Sequence, residues 1–338
     1  MVKKNYTIKD IAKLAGLSRG TVDKVIHNRS GVSQENIDNV KKIIKEVNYQ
    51  PNLLARSLKK HKPFTIAVII PEYEEDAYWR KCHSGILTAE KEFKEYGGRL
   101  LHFIYKRSEE SYRNAFLQAI ESSIDAILIA PIYFKGSDDL YGHLDEKRIP
   151  YNFINSRIPG ANYKSFVGQD YHQSGKVAAR LMELISKGEG HFLVIGEAES
   201  FESDSHLRRK EEGFRSYFKH KKRSIVNHTL NHDFEVLERL YKELKPVGIF
   251  VTTSRASQLV KLLKPNDDVT VIGYDLIDEN VDMLKDHKID VLIYQNPVEQ
   301  GYRGINKLID FLLNQKEPES ESLLPIDIVT SENLGYYI

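Results

Sequence analysis

The chain opens with apolar positions at helical spacing. Ile8, Ile11, Ala12 and Ala15 recur every three or four residues, and Gly16 breaks the pattern where a tight turn is needed. Val22, Val25 and Ile26 form a second stripe, followed by Asn28-Arg29-Ser30-Gly31, which reads as a loop. Ile37, Val40, Ile43 or Ile44, and Val47 form a third. Thr7, Ser18 and Ser33 stand where each helix needs an oxygen for its orphan amides, and Asp10 takes the capping-box position after Thr7. Three short helices around a glycine turn predict an all-α helix-turn-helix domain over residues 1–50.

From Phe64 the pattern changes. Apolar runs predict strands at Ile66–Ile70, Leu100–Tyr105, Ala126–Ile129, Tyr151–Ile154, Phe192–Ile195, Gly248–Val251, Val269–Ile272 and Asp290–Ile293. Amphipathic helices lie between them, such as Ser84–Tyr96 and Gln173–Ser186. Continuous apolar strands joined by helical crossovers predict doubly wound parallel sheets, an α/β body. About 275 residues of this pattern exceed one core. Two lobes with a ligand cleft at the strand carboxyl ends are therefore expected.

Charge sharpens the division. Residues 1–62 carry 14 Lys/Arg against 5 Asp/Glu, a surplus of nine positive charges. The rest carries 35 against 43, a surplus of eight negative ones. A basic head on an acidic body points to a polyanion partner for the head alone. Arg19, Gly20, Asp23 and Lys24 stand at the start of the second helix, where side chains reach base edges in the major groove. Thr7, Ser18, Thr21, Asn28, Ser33 and Asn52 supply hydroxyls and amides suited to phosphate, although Thr7, Ser18 and Ser33 are equally plain helix caps. One cysteine, Cys82, excludes an intrachain disulfide and fits a reducing compartment. MVKKNYTIKD is no secretory signal, and no apolar run reaches membrane-spanning length. A cytoplasmic protein with no membrane partner is expected.

The stretch YTIKDIAKLAGLSRGTVDKVIHNRSGVSQENIDNVKKIIKEVNYQPNLLARSLKK resembles the head of the LacI/GalR family of bacterial repressors, without a gap from Ile8 to Pro51-Asn52. The body matches in pattern as well. The resemblance implies a hinge helix and linker over 51–62, with Ala55 before a leucine, Leu58, that wedges into the minor groove at the operator centre. Read alone, Leu54 and Leu58 are an i,i+4 apolar pair. Asp23, Lys24 and His27 depart from the family's usual Ser, Arg and Asn, which leaves the operator sequence open.

The resemblance further implies a type I periplasmic-binding-protein-like body over 63–338 for effector binding and dimerisation. Its first lobe would span about 64–166 plus 297–325, its second about 167–296 plus 326–338. Effector candidates follow the strands. Tyr78 and Trp79 come after the first strand, with aromatic faces suited to a sugar ring. Asn155 and Arg157 follow Tyr151–Ile154, and Asp170 follows Phe166-Val167-Gly168, where it would equally cap a helix. In HLRRKEEGF, Lys210 stands where the family has a ligand-reaching Arg. Ser254 and Arg255 in FVTTSRAS stand at a frequent Asn-Asp position. Asp275 in VIGYD stands at the place of the ligand-binding acid, and Gln295 in IYQNP ends the last cleft strand.

No phosphate-cradling loop, dinucleotide fingerprint, zinc motif or nucleophile elbow is present, so no catalytic residue, cofactor or metal is expected. The sequence reads as a ligand-responsive regulator, a repressor of carbohydrate uptake or catabolism genes. It would bind a pseudo-palindromic operator as a homodimer or tetramer and change operator affinity when a sugar or sugar derivative binds. The alternative keeps the DNA-binding regulator and has the body respond to a partner protein or a non-sugar metabolite.

Overall fold

A computed structural model describes residues 8–26, 31–46, 63–132, 138–197, 206–230, 234–261 and 268–338. The chain falls into two compact units, Met1–Lys62 and Pro63–Ile338.

In the first unit, α1 (Ile8–Ala15), α2 (Arg19–Ile26) and α3 (Gln34–Glu46) pack around Ile11, Ala12, Val22, Val25, Val40 and Ile43. Ile43 takes the core place and Ile44 is half-buried beside it. The α1–α2 turn is a closed device. Gly16 sits at φ +65°, Leu17 N donates to Ala12 O at 3.0 Å, and Gly16 N donates to Lys13 O at 3.4 Å. This Schellman pattern needs a residue without a β-carbon penalty at Gly16. Ser18 Oγ then accepts from Thr21 N at 3.1 Å and starts α2. Asn39 Nδ2 donates to Ala15 O at 3.1 Å, so α3 satisfies a carbonyl at the end of α1.

The second unit holds two six-stranded sheets. The first comprises β1 (Thr65–Pro71), β2 (Arg99–Tyr105), β3 (Ala126–Ile129), β4 (Tyr151–Ile154), β5 (Ser165–Gly168) and β11 (Glu321–Leu323), in the order β11-β5-β4-β3-β1-β2. The other comprises β6 (His191–Glu197), β7 (Ser224–Leu230), β8 (Gly248–Val251), β9 (Thr270–Tyr274), β10 (Val291–Tyr294) and β12 (Asp327–Val329), in the order β12-β10-β9-β8-β6-β7. All pairs are parallel except β10 with β12. The central strands β1, β3, β4 and β8 are buried throughout, as parallel strands covered on both faces must be.

Several elements differ from the sequence reading. SIVNHTL forms β7, an edge strand whose mixed polarity hides it from an apolar-run search. EPESESLLP, read as a surface loop, contributes β11 beside β5. β5 carries the first sheet through Gly168, so the first crossover begins at Gln169.

Around the sheets lie α4 (Ala77–Glu95), α5 (Glu109–Glu121), α6 (Asp138–Lys147), α7 (Tyr171–Ile185), α8 (His206–Tyr217), α9 (Phe234–Leu244), α10 (Ala256–Val260), α11 (Asp278–Lys285) and α12 (Pro297–Asn314). Helix α4 starts at Ala77 rather than Ser84, because Asp76 caps it by accepting from Tyr78 N and Trp79 N at 3.0 and 3.1 Å. Each lobe presses two helices together through glycines. A β-carbon on Gly301 would stand 2.2 Å from Cys82 O, joining α12 to α4. One on Gly175 would stand 2.0 Å from Lys210 O, joining α7 to α8. No other side chain lets the backbones come that close.

The crossovers between lobes are tied by one amide. Gln169 Nε2 donates to Tyr294 O at 2.9 Å and to Pro325 O at 2.7 Å, linking the ends of β5, β10 and β11. No helix among the described residues is long and apolar enough to cross a membrane.

Candidate functional site

The carboxyl ends of both sheets face a cleft, the place where open α/β sheets bind ligands. Asn155 follows β4 and Asp275 follows β9, and both take left-handed backbone at φ +63° and +65°. Asn and Asp tolerate that conformation better than other non-glycine residues. Each is anchored to the next strand, Asn155 N to Val167 O at 3.2 Å and Asp275 N to Ile293 O at 3.0 Å. The turn directs both side chains at a cavity of about 120 Å³.

Around this cavity each lobe builds a different kind of wall. In the first, Tyr78 and Trp79 come from the first turn of α4 and are 6% and 8% exposed, so they serve core and cleft together. Their rings meet edge to face with centroids 5.2 Å apart. Asn155 Nδ2 donates to the Tyr78 hydroxyl at 2.6 Å, and the Tyr171 hydroxyl donates to Asn155 O at 2.5 Å. In the second lobe, Asp275 Oδ2 accepts from Gln295 Nε2 at 2.6 Å and Oδ1 from Gln295 N at 3.3 Å. Lys210 on α8 is 1% exposed; its Nζ donates to Thr252 O at 3.0 Å and lies 3.6 Å from the Tyr274 ring centroid.

Burial and mutual charge set the protonation of this wall. Burial pulls the Lys210 ammonium down to about 7, against the pull of Asp275. Burial also pushes the Asp275 carboxyl up to about 6, opposed by Lys210 and by the Gln295 hydrogen bonds. His206, which lines the same cavity, is held well below the ordinary histidine range by burial and by Lys210, and stays neutral near pH 7. The result is a mixed array of donors and acceptors beside aromatic rings. Such a lining can hold a polyhydroxylated ring by bidentate contacts to its hydroxyls and by an aromatic face under its C–H surface.

Ser254 and Arg255, just beyond β8, and Gln295 at the end of β10 complete the predicted residues at this cavity. Arg157 and Asp170 lie elsewhere. Arg157 is ion-paired with Glu321 and lines a flanking cavity. Asp170 accepts from Gln173 N at 2.9 Å as the cap of α7 and lines that same flanking cavity. The sequence reading missed Asp76, Arg107 and His206 in the central cavity. Arg107 lies two residues past β2 and reaches Asp76 Oδ2 at 3.0 Å. The strand-end rule applied to β2 would have found it, and His206 is one helical turn before Lys210 on α8. Lys81 Nζ donates to Leu276 O at 2.5 Å, a bond from one lobe to the other beside the cavity.

In the head, Ser18, Arg19, Gly20 and Lys24 lie exposed at and along α2, Thr21 is half-buried, and Ser33 is exposed before α3. Ser18 Oγ and Thr21 Oγ1 are 2.9 Å apart, so part of their hydrogen-bonding capacity is spent locally. Thr7, Asn28, Asn52, Ala55 and Leu58 fall outside the described residues.

The pattern of the bacterial regulatory proteins, lacI family, matches residues 7–52, and that of the periplasmic binding protein domain matches residues 66–316. MalR, a helix-turn-helix transcriptional regulator of Streptococcus pneumoniae serotype 4, is 26% identical over 325 residues, covering 92% of this chain and 94% of its own. The sucrose operon repressor of Streptococcus mutans is 25% identical over 342 residues, covering 97% and 99%. A solved structure from Bacteroides fragilis, described as a LacI transcriptional regulator, superposes with a TM-score of 0.76 at 29% identity. It covers 82% of this chain and 100% of its own. Basic three-helix head, twin parallel sheets and cleft all follow one plan: the chain belongs to the lacI family of bacterial regulatory proteins, with a periplasmic binding protein domain as its body.

Proposed function

We propose that this protein is a repressor of carbohydrate genes whose operator affinity is set by a sugar-like effector in the cleft of the body. One observation carries the reading. Side chains from both lobes, Tyr78, Trp79 and Asn155 on one side and Lys210, Asp275 and Gln295 on the other, surround one small cavity at the strand carboxyl ends. A ligand that touches both walls stabilises one relative placement of the lobes, and the sucrose operon repressor among the relatives favours a sugar. Arg19, Gly20 and Lys24 would meet base edges, with Ser18, Thr21, Ser33 and Asn52 on phosphates and Leu58 in the minor groove. A homodimer would present two heads to a pseudo-palindrome with half-sites about one helical turn apart. Effector and operator are then coupled reciprocally, typically by about 1–3 kcal/mol. The test is a screen of intact protein against sugars by melting temperature, followed by operator titration with each hit. A sugar that raises the melting temperature and shifts operator affinity supports the proposal. Operator binding indifferent to every stabilising sugar refutes it.

A further inference from the structure

The central cavity, at about 120 Å³, has a larger neighbour. A flanking cavity of about 550 Å³ is lined in part by Phe166 of β5 and by Glu321 and Leu323 of β11, and His206 lines both cavities. The partition between them is thin. On one side stand Asn155 in the central cavity and Ser156 in the flanking one; on the other stands His206, whose Nδ1 lies 3.1 Å from Ser156 Oγ.

The flanking cavity has the chemistry of a binding site for a neutral polar ring. Its cations, Arg157 and Arg209, are matched by the acids Asp170 and Glu321. Arg157 is already ion-paired with Glu321 and lies with its guanidinium carbon 5.1 Å from the Phe166 ring centroid. Phe166 and Tyr171 supply aromatic rings to the lining. Gln169 is 2% exposed, and its Oε1 has no hydrogen-bond partner among the described residues. An unpaired buried acceptor is costly, and a ligand hydroxyl is a group that satisfies it. An anion on Arg209 would still face Asp170 and Glu321, whereas hydroxyls can both donate to these acids and accept from the arginines.

We propose that the effector is at least two sugar units long, with its first ring in the central cavity, its linkage passing His206, and its second ring in the flanking cavity. This rests on the sugar reading above and adds its length. The partition must open by a side-chain rotation of His206, which breaks its hydrogen bond with Ser156 Oγ, or of Ser156, which also gives up its hydrogen bond to Asn155 Oδ1.

The test uses the full chain, with glucose, galactose, fructose and xylose compared against maltose, sucrose, lactose and cellobiose by titration calorimetry. One of the disaccharides should bind at least tenfold more tightly than either of its component monosaccharides. Arg209→Ala should weaken that disaccharide about tenfold and leave the monosaccharide within twofold. Leu323→Trp, at a position 46% exposed on the flanking cavity's rim, should block the second ring by bulk without touching the central cavity. Unchanged melting temperatures of both variants would show that they fold. Disaccharides that bind no better than monosaccharides, or that ignore both variants, overturn the two-unit effector while leaving the sugar reading intact. A chain that binds no sugar of either length overturns both.

Discussion

Asn155 and Asp275 hold the same place in the two lobes. Each follows the fourth strand of its lobe, each bends through left-handed backbone, and each hangs its amide on the fifth strand. Yet one is neutral and hydrogen-bonds a tyrosine, while the other is ionisable, accepts from Gln295 and feels the charge of the buried Lys210. The helix pairs repeat the comparison. Gly301 brings α12 onto α4 in one lobe, and Gly175 brings α7 onto α8 in the other. The repeated backbone sets where side chains enter the cleft. The side chains themselves divide the labour: the first lobe offers aromatic faces, an amide and the half-exposed Asp76–Arg107 pair, and the second offers the buried charges of Lys210 and Asp275. A ligand held by both walls experiences a difference in chemistry across its own width, which fixes its orientation.

The comparison can be broken most severely at the glycines. Gly175→Ala sets a methyl against Lys210 O, and backbone atoms on both helices must move. Overpacking of this kind costs about 3 kcal/mol at its upper range. In calorimetry the melting temperature should drop by roughly 6–12 °C. Gly301→Ala should cost a similar amount in the other lobe. Only Gly175→Ala shifts the lysine directly, so it should weaken the effector more than Gly301→Ala does at equal loss of stability. Equal effects on binding would dissolve the distinction between the walls.

Asp275→Asn makes the second lobe copy the first. Removing a charged acceptor should weaken the effector by about 2 kcal/mol, roughly 30-fold, measured by titration calorimetry. Asn155→Ala, by contrast, removes a neutral contact worth about 1 kcal/mol.

Acidity gives the next test. On the proposed function, the effector donates to ionised Asp275 and accepts from protonated Lys210. Affinity should fall as pH drops through about 6, where Asp275 takes up its proton, and again as pH rises through about 7, where Lys210 loses its own. One pH unit beyond either limit costs about tenfold, and the apparent values belong to the pair. In Asp275→Asn the acid limb should vanish. A first-lobe variant such as Asn155→Ala should keep both limbs.

The smallest expected difference concerns the caps. Asp76 starts α4 and Asp170 starts α7, each accepting backbone amides. Alanine at either should cost about 1 kcal/mol of stability in denaturant titration. Only Asp76→Ala should also weaken binding in the central cleft, because Asp76 lines it and holds Arg107.

Much of this plan was legible in the residues. The buried central strands betray themselves as apolar runs, and the turn at Gly16 reads directly from helical spacing followed by glycine and a serine cap. Of the edge strands only β2 was legible, as the apolar run Leu100–Tyr105. β7 mixes polar and apolar residues without a period, as Asn227, His228 and Thr229 stand in a row, and β11 and β12 are three residues each, too short for any period to register. The cleft was legible wherever a polar residue follows an apolar strand, which found Asn155, Asp275 and Gln295. The same rule overshot at Arg157 and Asp170, since position after a strand does not say which of two neighbouring cavities a side chain enters. Tyr78 and Trp79 were identified but placed before their helix, because the capping role of Asp76 went unread.

The most direct test of the coupling between cleft and operator is one titration. Operator affinity is measured for the intact protein and for Asp275→Asn, each with and without the best-binding sugar at about ten times the dissociation constant of the intact protein. The two proteins should bind operator equally without sugar, and with sugar the intact protein should shift at least fivefold and the variant little or not at all. A shift of the same size in both proteins, or none in the intact protein, would contradict that coupling.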